Sequence, residues 1–304
     1  MSGGTAPFRC GTVALAGRTN VGKSTILNRL VAQKLAIIAD KPQTTRHTIL
    51  GVRSLEGAQI GFLDTPGIHT PRHRMNRLMV DAAFEAAASA DVVAVVIEAP
   101  DGIGPGDLFL FRRVGARRGG QKALLILNKI DQMPREDLLP LIASASAQGR
   151  FDAIVPFSAR TGENEDRLLA ALADLLPAAP PAWPEDTLTD QPARRLVAEF
   201  VREKILDATR QELPHETGVI IDRWRERDDG LIEIEASILC ERDSQKGILI
   251  GAGGRALKRI GTQARADAEA LVGARIMLRL HVKVAAGWRE DPRLLREMGI
   301  GEEP

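Results

Sequence analysis

Only two cysteines, Cys10 and Cys240, occur in 304 residues, far apart and without the spacing of a metal-ligand set. A disulfide framework is excluded, and a reducing cytoplasm is the expected compartment. No apolar stretch approaches the ~20 uncharged residues that a membrane-spanning helix requires. The N-terminus lacks a signal-peptide core. The longest apolar run, Val92 to Ala99, reads as a buried strand. Histidines at 47, 69, 73, 215 and 281 form no HxxxH pair, so no histidine metal site is expected. With 44% hydrophobic residues, the chain can bury two cores, one of about 180 residues and one of about 110.

Against these absences stands Gly17-Arg18-Thr19-Asn20-Val21-Gly22-Lys23-Ser24, followed by Thr25 and preceded by the apolar run Val13-Ala14-Leu15-Ala16. This is GxxxxGK[ST] between a strand and a helix of about Lys23 to Val31. Backbone N–H groups of such a loop cradle phosphates, Lys23 brings charge to the β/γ oxygens, and the Ser24 hydroxyl can ligate Mg²⁺. The helix N-terminus favours the same anion.

The loop does not choose the base; Asn128-Lys129-Ile130-Asp131 does, after the run Ala123 to Leu127. A carboxylate at Asp131 accepts two parallel bonds from guanine N1–H and the N2 amine, a donor pair that adenine lacks. Mispairing leaves a buried polar group unpaired, so rejection is strong. Asp64-Thr65-Pro66-Gly67 closes another apolar strand. There Asp64 can hold a magnesium-bound water, and Gly67 can offer its N–H to the γ-phosphate. Within Pro42-Gln43-Thr44-Thr45-Arg46-His47 one hydroxyl, assigned to Thr45, would reach Mg²⁺ while the γ-phosphate is present. Ser158-Ala159-Arg160 is placed to support guanine from its other side. The expected catalytic set is therefore Lys23, Thr45, Asp64 and Gly67. Where signalling GTPases carry a glutamine this chain has Ile68, which implies slow intrinsic hydrolysis. Asn20 can either ligate a K⁺ ion beside the phosphates or merely stabilise the loop.

Apolar runs at 13–16, 58–63, 92–97, 123–127 and 153–157 alternate with helix-length segments such as Met75 to Ala90. That rhythm predicts an α/β fold, a P-loop GTPase domain over 1–176 with a mostly parallel, doubly wound sheet. The proline-rich stretch within 177–189 reads as a linker. Beyond it, over 190–304, an amphipathic helix (191–211) precedes alternating strands 217–227 and 231–241 joined by Asp228-Asp229-Gly230, a tight-hairpin composition. Then come Ile248-Leu249-Ile250, Gly251-Ala252-Gly253-Gly254, a helix from Arg255 to Leu271 and a strand from Arg275 to Val284. In this last strand Ile276, Leu278, Leu280, Val282 and Val284 are expected to face inward.

The order αββααβ with GxxG between two helices is the pattern of a type II K-homology (KH) domain, a smaller α+β module whose loop clamps a single-stranded nucleic-acid backbone. Arg242, Lys246, Arg255, Lys258, Arg259 and Arg265 supply local positive charge, although Asp and Glu outnumber Lys and Arg by three across 185–304. Affinity must therefore come from a local patch around Gly251–Gly254.

GRTNVGKS at 17–24, KPQTTRH at 41–47, DTPGI at 64–68, NKID at 128–131, SAR at 158–160 and ERDSQKGILIGAGGRALKRIG at 241–261 together resemble the Era GTPase family of bacterial ribosome-assembly factors, over about Gly11 to Gly299. The resemblance implies a GTP/GDP-bound, Mg²⁺-dependent factor that binds the 3′ end of 16S ribosomal RNA during maturation of the 30S subunit. It also implies peripheral association with the inner membrane. The chain is taken as a monomer with no DNA partner. Relatives commonly carry a polar residue where this chain has Ala252 and an aromatic residue near Ile300. Two other readings stay open: an RNA scaffold whose nucleotide is structural, and a membrane-associated switch using Arg112, Arg113, Arg117 and Arg118.

Overall fold

The computed structural model describes residues 7–39, 44–67, 74–116, 119–209 and 217–300. Ile68, Lys41 to Gln43, Arg117, Arg118, His69, His73 and His215 lie outside the described residues. The chain forms two compact units. Among described residues, the first holds 7–36, 45–67, 80–116 and 119–190, and the second holds 37–39, 44, 74–79, 191–209 and 217–300.

The first unit carries β1 (Arg9–Gly17), α1 (Lys23–Val31), β2 (Ile49–Leu55), β3 (Ala58–Asp64), β4 (Val92–Glu98), α3 (Pro105–Gly115), β5 (Lys122–Asn128), α4 (Leu138–Gln148), β6 (Ala153–Pro156) and α5 (Glu165–Leu175); α2 (Arg74–Ser89) lies between β3 and β4 in sequence. The sheet order is β2-β3-β1-β4-β5-β6. Every pairing is parallel except β2 with β3. β4 and β5 read as continuous aliphatic runs because a central parallel strand is covered on both faces, and Val92–Ile97 and Ala123–Leu127 are buried throughout. On α1, Lys23, Ile26, Leu27, Leu30 and Val31 share the buried face, the i, i+3, i+4, i+7, i+8 stripe of a surface helix. β2 is not among the apolar runs of the sequence; Gly51, Arg53 and Ser54 break its pattern, as an edge strand tolerates.

The stretch expected to be a linker is tied to this sheet. The Gln59 side chain accepts from the N–H groups of Ala182 and Trp183, both at 3.0 Å, and donates to the Trp183 carbonyl at 2.9 Å. The N–H of Ala179 donates to the Phe8 carbonyl, and that of Val52 to the Leu188 carbonyl. The segment forms isolated antiparallel bridges, Ala178 with Arg9 and Thr189 with Gly51, and its prolines, which lack N–H donors, keep it from pairing as a continuous strand.

In the second unit α6 (Ala193–Ala208), β7 (Gly218–Glu226), β8 (Ile232–Cys240), α7 (Asp243–Ile250), α8 (Arg255–Val272) and β9 (Ile276–Val284) follow the expected αββααβ order, with α9 (Pro292–Glu297) added. β8 pairs antiparallel with β7 and parallel with β9. The hairpin turn closes through Gly230 N–H to the Arg227 carbonyl, with Gly230 at φ +77°. Ile260, Ala264 and Ala268 of α8 are buried in the core of this unit, and the two alanines allow close approach. β9 departs from expectation at its end: Ile276 is buried, Leu278, Leu280 and Val282 are half-buried, and Val284 is 39% exposed. Ile300 is buried in a cluster with Leu239, Trp288 and Leu295.

Candidate functional site

The nucleotide-side residues converge at the C-terminal ends of β1, β3, β5 and β6, where open α/β sheets bind ligands. Lys23 Nζ donates to the carbonyls of Gly17 at 3.1 Å and Arg18 at 2.8 Å, which folds the phosphate loop around its side chain. Burial lowers the Lys23 ammonium to about 8, partly opposed by the charge of Asp64. Gly22 at φ +99° and Asn20 at φ +65° take left-handed backbone. Asparagine tolerates that region better than most residues, so Asn20 has a conformational reason to be present apart from any cation. Arg18, half-buried, pairs through Nε with the buried Asp107 at 2.9 Å. Thr25 sits half-buried in the first turn of α1.

Ser24, Thr45 and Asp64 form one cluster. The Ser24 hydroxyl donates to Asp64 Oδ2 at 2.7 Å, that of Thr45 does so at 3.2 Å, and the two hydroxyl oxygens lie 2.8 Å apart. Asp64 Oδ1 is buried with no hydrogen-bond partner among the described residues. Burial pushes the Asp64 carboxyl up, against the charge of Lys23 and the two hydroxyls. An orphaned carboxylate oxygen beside two hydroxyls is a hard-oxygen donor set of the kind Mg²⁺ takes. Thr44 is placed differently: its hydroxyl donates to the Ala39 carbonyl, and its own carbonyl accepts from Arg202. Thr65 donates to the Leu15 carbonyl at 2.8 Å and is buried with Pro66, so both brace the strand end. Gly67 lies against the phosphate loop; a Cβ there would meet Thr19 Cγ2 at 2.6 Å, which only glycine avoids.

On the base side Asn128 is buried and joins two loops. Its Nδ2 donates to the Val21 carbonyl at 2.8 Å and its Oδ1 accepts from Ala159 N–H at 3.1 Å. Its role here is a staple between the phosphate loop and the 158–160 turn. Lys129, at φ +66°, pairs with Glu98 at 2.7 Å. Asp131 accepts from the Ser158 hydroxyl through Oδ1 and from the Arg160 guanidinium through Oδ2. Burial, which would raise the Asp131 carboxyl, is outweighed by these donors, so it is held below the usual carboxylate range. Glu98, Asp107 and Arg29, whose guanidinium donates to the carbonyls of Ala159 and Arg160, belong to this site yet carry no local sequence signal.

In the second unit Gly251, Ala252, Gly253 and Gly254 form the turn between α7 and α8. Gly251, Gly253 and Gly254 have φ of +71°, +60° and +77°. A Cβ on Gly251 would also meet Ala256 Cβ at 2.7 Å. Ala252 and Gly253 are exposed, as are Arg242, Arg255, Lys258 and Arg259, whereas Lys246 is half-buried. Beside the turn a groove is lined by Gly254, Leu257, Lys258, Gly261, Leu278 and Leu280. That groove explains why Leu278 and Leu280 of β9 are only half-buried.

Residues 12–129 match the family described as 50S ribosome-binding GTPase, and residues 212–289 match the KH domain family. The chain is 44% identical to GTPase Era of Geotalea daltonii, covering 96% of this chain and 98% of that protein. It is 45% identical to GTPase Era of Lacticaseibacillus paracasei, covering 95% and 96%. The chain belongs to the Era GTPase family. Two solved Era structures share its fold at 37% identity, covering 97% of this chain and 100% of each. An Era variant of Aquifex aeolicus bound to GDP·AlF₄⁻ has a TM-score of 0.91, and an Era in complex with MgGDPNP and nucleotides 1506–1542 of 16S ribosomal RNA has 0.92. The two units of this Era-family chain thus combine a P-loop GTPase sheet with a KH module. No helix among the described residues is long and apolar enough to cross a membrane.

Proposed function

We propose that this chain is a GTP-hydrolysing switch that binds the 3′ end of 16S ribosomal RNA through its C-terminal unit and serves maturation of the 30S subunit. The observation that carries the reading is the pairing, in one chain, of a guanine-selecting carboxylate beside a phosphate loop with an exposed GxxG turn flanked by cations. The description of the matched GTPase family names the 50S subunit, but a KH module suits single-stranded RNA. The similar Era was solved with a segment of 16S RNA. Ser24, Thr45 and Asp64 would hold Mg²⁺, which when bound supplies charge neutralisation at the phosphates. Lys23 places its ammonium toward the β/γ oxygens, and Gly67 presents backbone to the γ-phosphate. Arg160 and Ser158 hold Asp131 ionised for the guanine edge. We place the protein in the cytoplasm as a monomer. Of the four arginines in the membrane reading, Arg112 is exposed and Arg113 lies over the Phe84 ring at 4.7 Å.

Changing Ala252 and Gly253 together to Asp should lower affinity for a short RNA ending in the small-subunit 3′ sequence by tenfold or more, about 1.4 kcal/mol. No neighbour lies within 4 Å of a Cβ at Gly253, and Asp tolerates its positive φ, so the fold should survive. Lys258→Ala with Arg259→Ala should flatten the salt dependence by about one unit of slope per lost phosphate contact. Fluorescence anisotropy across salt concentrations reads both effects. Repeating it with a GTP analogue and with GDP separates a switch from a scaffold, because equal RNA affinity in both states is the scaffold result. Undiminished binding by the double-Asp variant, folded by circular dichroism, overturns the RNA site.

We also propose that Asn20 ligates K⁺ beside the phosphates. Hydrolysis should be slow, on the order of unassisted GTPases, and faster in K⁺ than in Na⁺, with Asn20→Ala abolishing the difference. Equal rates in the two salts leave Asn20 only its conformational role.

A further inference from the structure

We infer that Arg160 competes with guanine for Asp131 and thereby sets how fast the nucleotide enters. The inference rests on the reading that Asp131 takes the guanine edge. A carboxylate oxygen has two lone pairs. Both lone pairs of Asp131 Oδ2 are engaged, by Arg160 Nε at 2.9 Å and Nη2 at 2.5 Å, while Oδ1 accepts the Ser158 hydroxyl at 2.5 Å. Guanine needs one acceptor on each oxygen. Oδ1 can accept a second donor beside Ser158, but Oδ2 cannot accept the guanine amine until Arg160 releases at least one bond. Guanidinium and the guanine N1–H/N2–H edge present the same motif, two parallel N–H donors, so one mimics the other.

The surroundings suit a side chain that swings while its backbone stays. The carbonyl of Arg160 accepts from Arg29 Nη2 at 2.8 Å, and that of Ala159 accepts from Arg29 Nε at 3.2 Å. The N–H of Ala159 is held by Asn128 at 3.1 Å. The Arg160 side chain is 68% exposed and its carboxylate partner only 8% exposed, so the arginine lies on the solvent side of Asp131. Ion pairs with one partner so exposed are weak and salt-sensitive, which makes the pair a brake on entry and not a lock.

Arg160→Ala, stripped of nucleotide, should associate with fluorescent N-methylanthraniloyl-GDP threefold to tenfold faster than the parent at low ionic strength. The ratio of the two rates should fall toward one as salt rises, because salt weakens the pair only in the parent. Arg160→Lys, which offers a point charge in place of the parallel fork, should fall between the two. In an Asp131→Asn background, with the xanthine nucleotide as ligand, Arg160→Ala should change association little. An Arg160→Ala variant that melts like the parent but associates at the same rate or more slowly at every salt concentration overturns the competition. A faster dissociation with unchanged association likewise overturns it, leaving Arg160 as a support for bound base. Failure of the base-reading role itself shows separately, as an Asp131→Asn protein that keeps its preference for GTP over the xanthine nucleotide.

Discussion

Asp131→Asn should lower GTP affinity by roughly 10²- to 10⁴-fold and bring xanthosine triphosphate to near the parent's affinity for GTP. Two charge-assisted hydrogen bonds to the guanine edge are at stake, each worth about 1.5–3 kcal/mol. The amide keeps one acceptor but turns a donor toward the guanine amine, leaving two donors face to face. Xanthine carries an oxygen at that position, which the amide nitrogen can meet. Nucleotide competition against a fluorescent analogue reads both numbers, and a variant that binds GTP like the parent and ignores the xanthine nucleotide removes Asp131 from base reading. The depressed carboxyl also sets a pH window. A group whose folded pKa lies below its unfolded value contributes stability above the unfolded value, about 3.9, and loses it as pH falls through the folded one. The contribution of Asp131 to stability should therefore stay constant at neutral pH and be lost only on acidification below about 3.9, which acid titration of the nucleotide-free fold reads.

Much of this site was legible because its chemistry is local. The phosphate loop, the Asp64 strand end and the 128–131 turn each announce themselves within eight residues, and the aliphatic runs of β1, β4 and β5 record burial on both faces. What stayed hidden depends on residues distant in sequence. Nothing near Asn128 shows that its amide holds Val21 on one side and Ala159 on the other. Glu98 meets Lys129 only because β4 and β5 run in register, with Glu98 opposite Asn128. Asp107 reads as a helix first-turn acid, yet it holds Arg18 across a gap of 89 residues while also accepting from the Gly104 N–H. Thr44 and Thr45 are neighbouring hydroxyls in one motif; the structure puts the Thr45 hydroxyl, the one assigned from the sequence, on Asp64 and turns that of Thr44 toward Ala39, a contact no local signal shows. The tail was opaque for the opposite reason: Trp288, Leu295 and Ile300 lie on no regular period, but they share a core with Met75 and Met79.

Asp64→Asn should separate stability from function. The amide is nearly isosteric, and the hydroxyls of Ser24 and Thr45 can donate to it or accept from it, so both contacts survive in some form. What is lost is a buried negative charge, one whose carboxyl burial already pushes up. A group whose folded pKa is raised contributes stability below its unfolded pKa and loses it as pH rises through the folded one. At neutral pH the ionised form is therefore a cost, opposed only in part by Lys23. Measured in EDTA, the variant should melt at or above the parent's temperature. Its hydrolysis of GTP should fall by at least 10²-fold, about 2.7 kcal/mol of barrier, and the Mg²⁺ dependence of GDP dissociation should disappear, since the orphaned Oδ1 no longer offers charge to a cation. A variant that turns over GTP within tenfold of the parent, with the same Mg²⁺ titration, would show that the buried oxygen serves the fold alone. If instead it melts well below the parent, the carboxylate is a net structural support, and the strain between burial and function at the end of β3 is smaller than its surroundings imply.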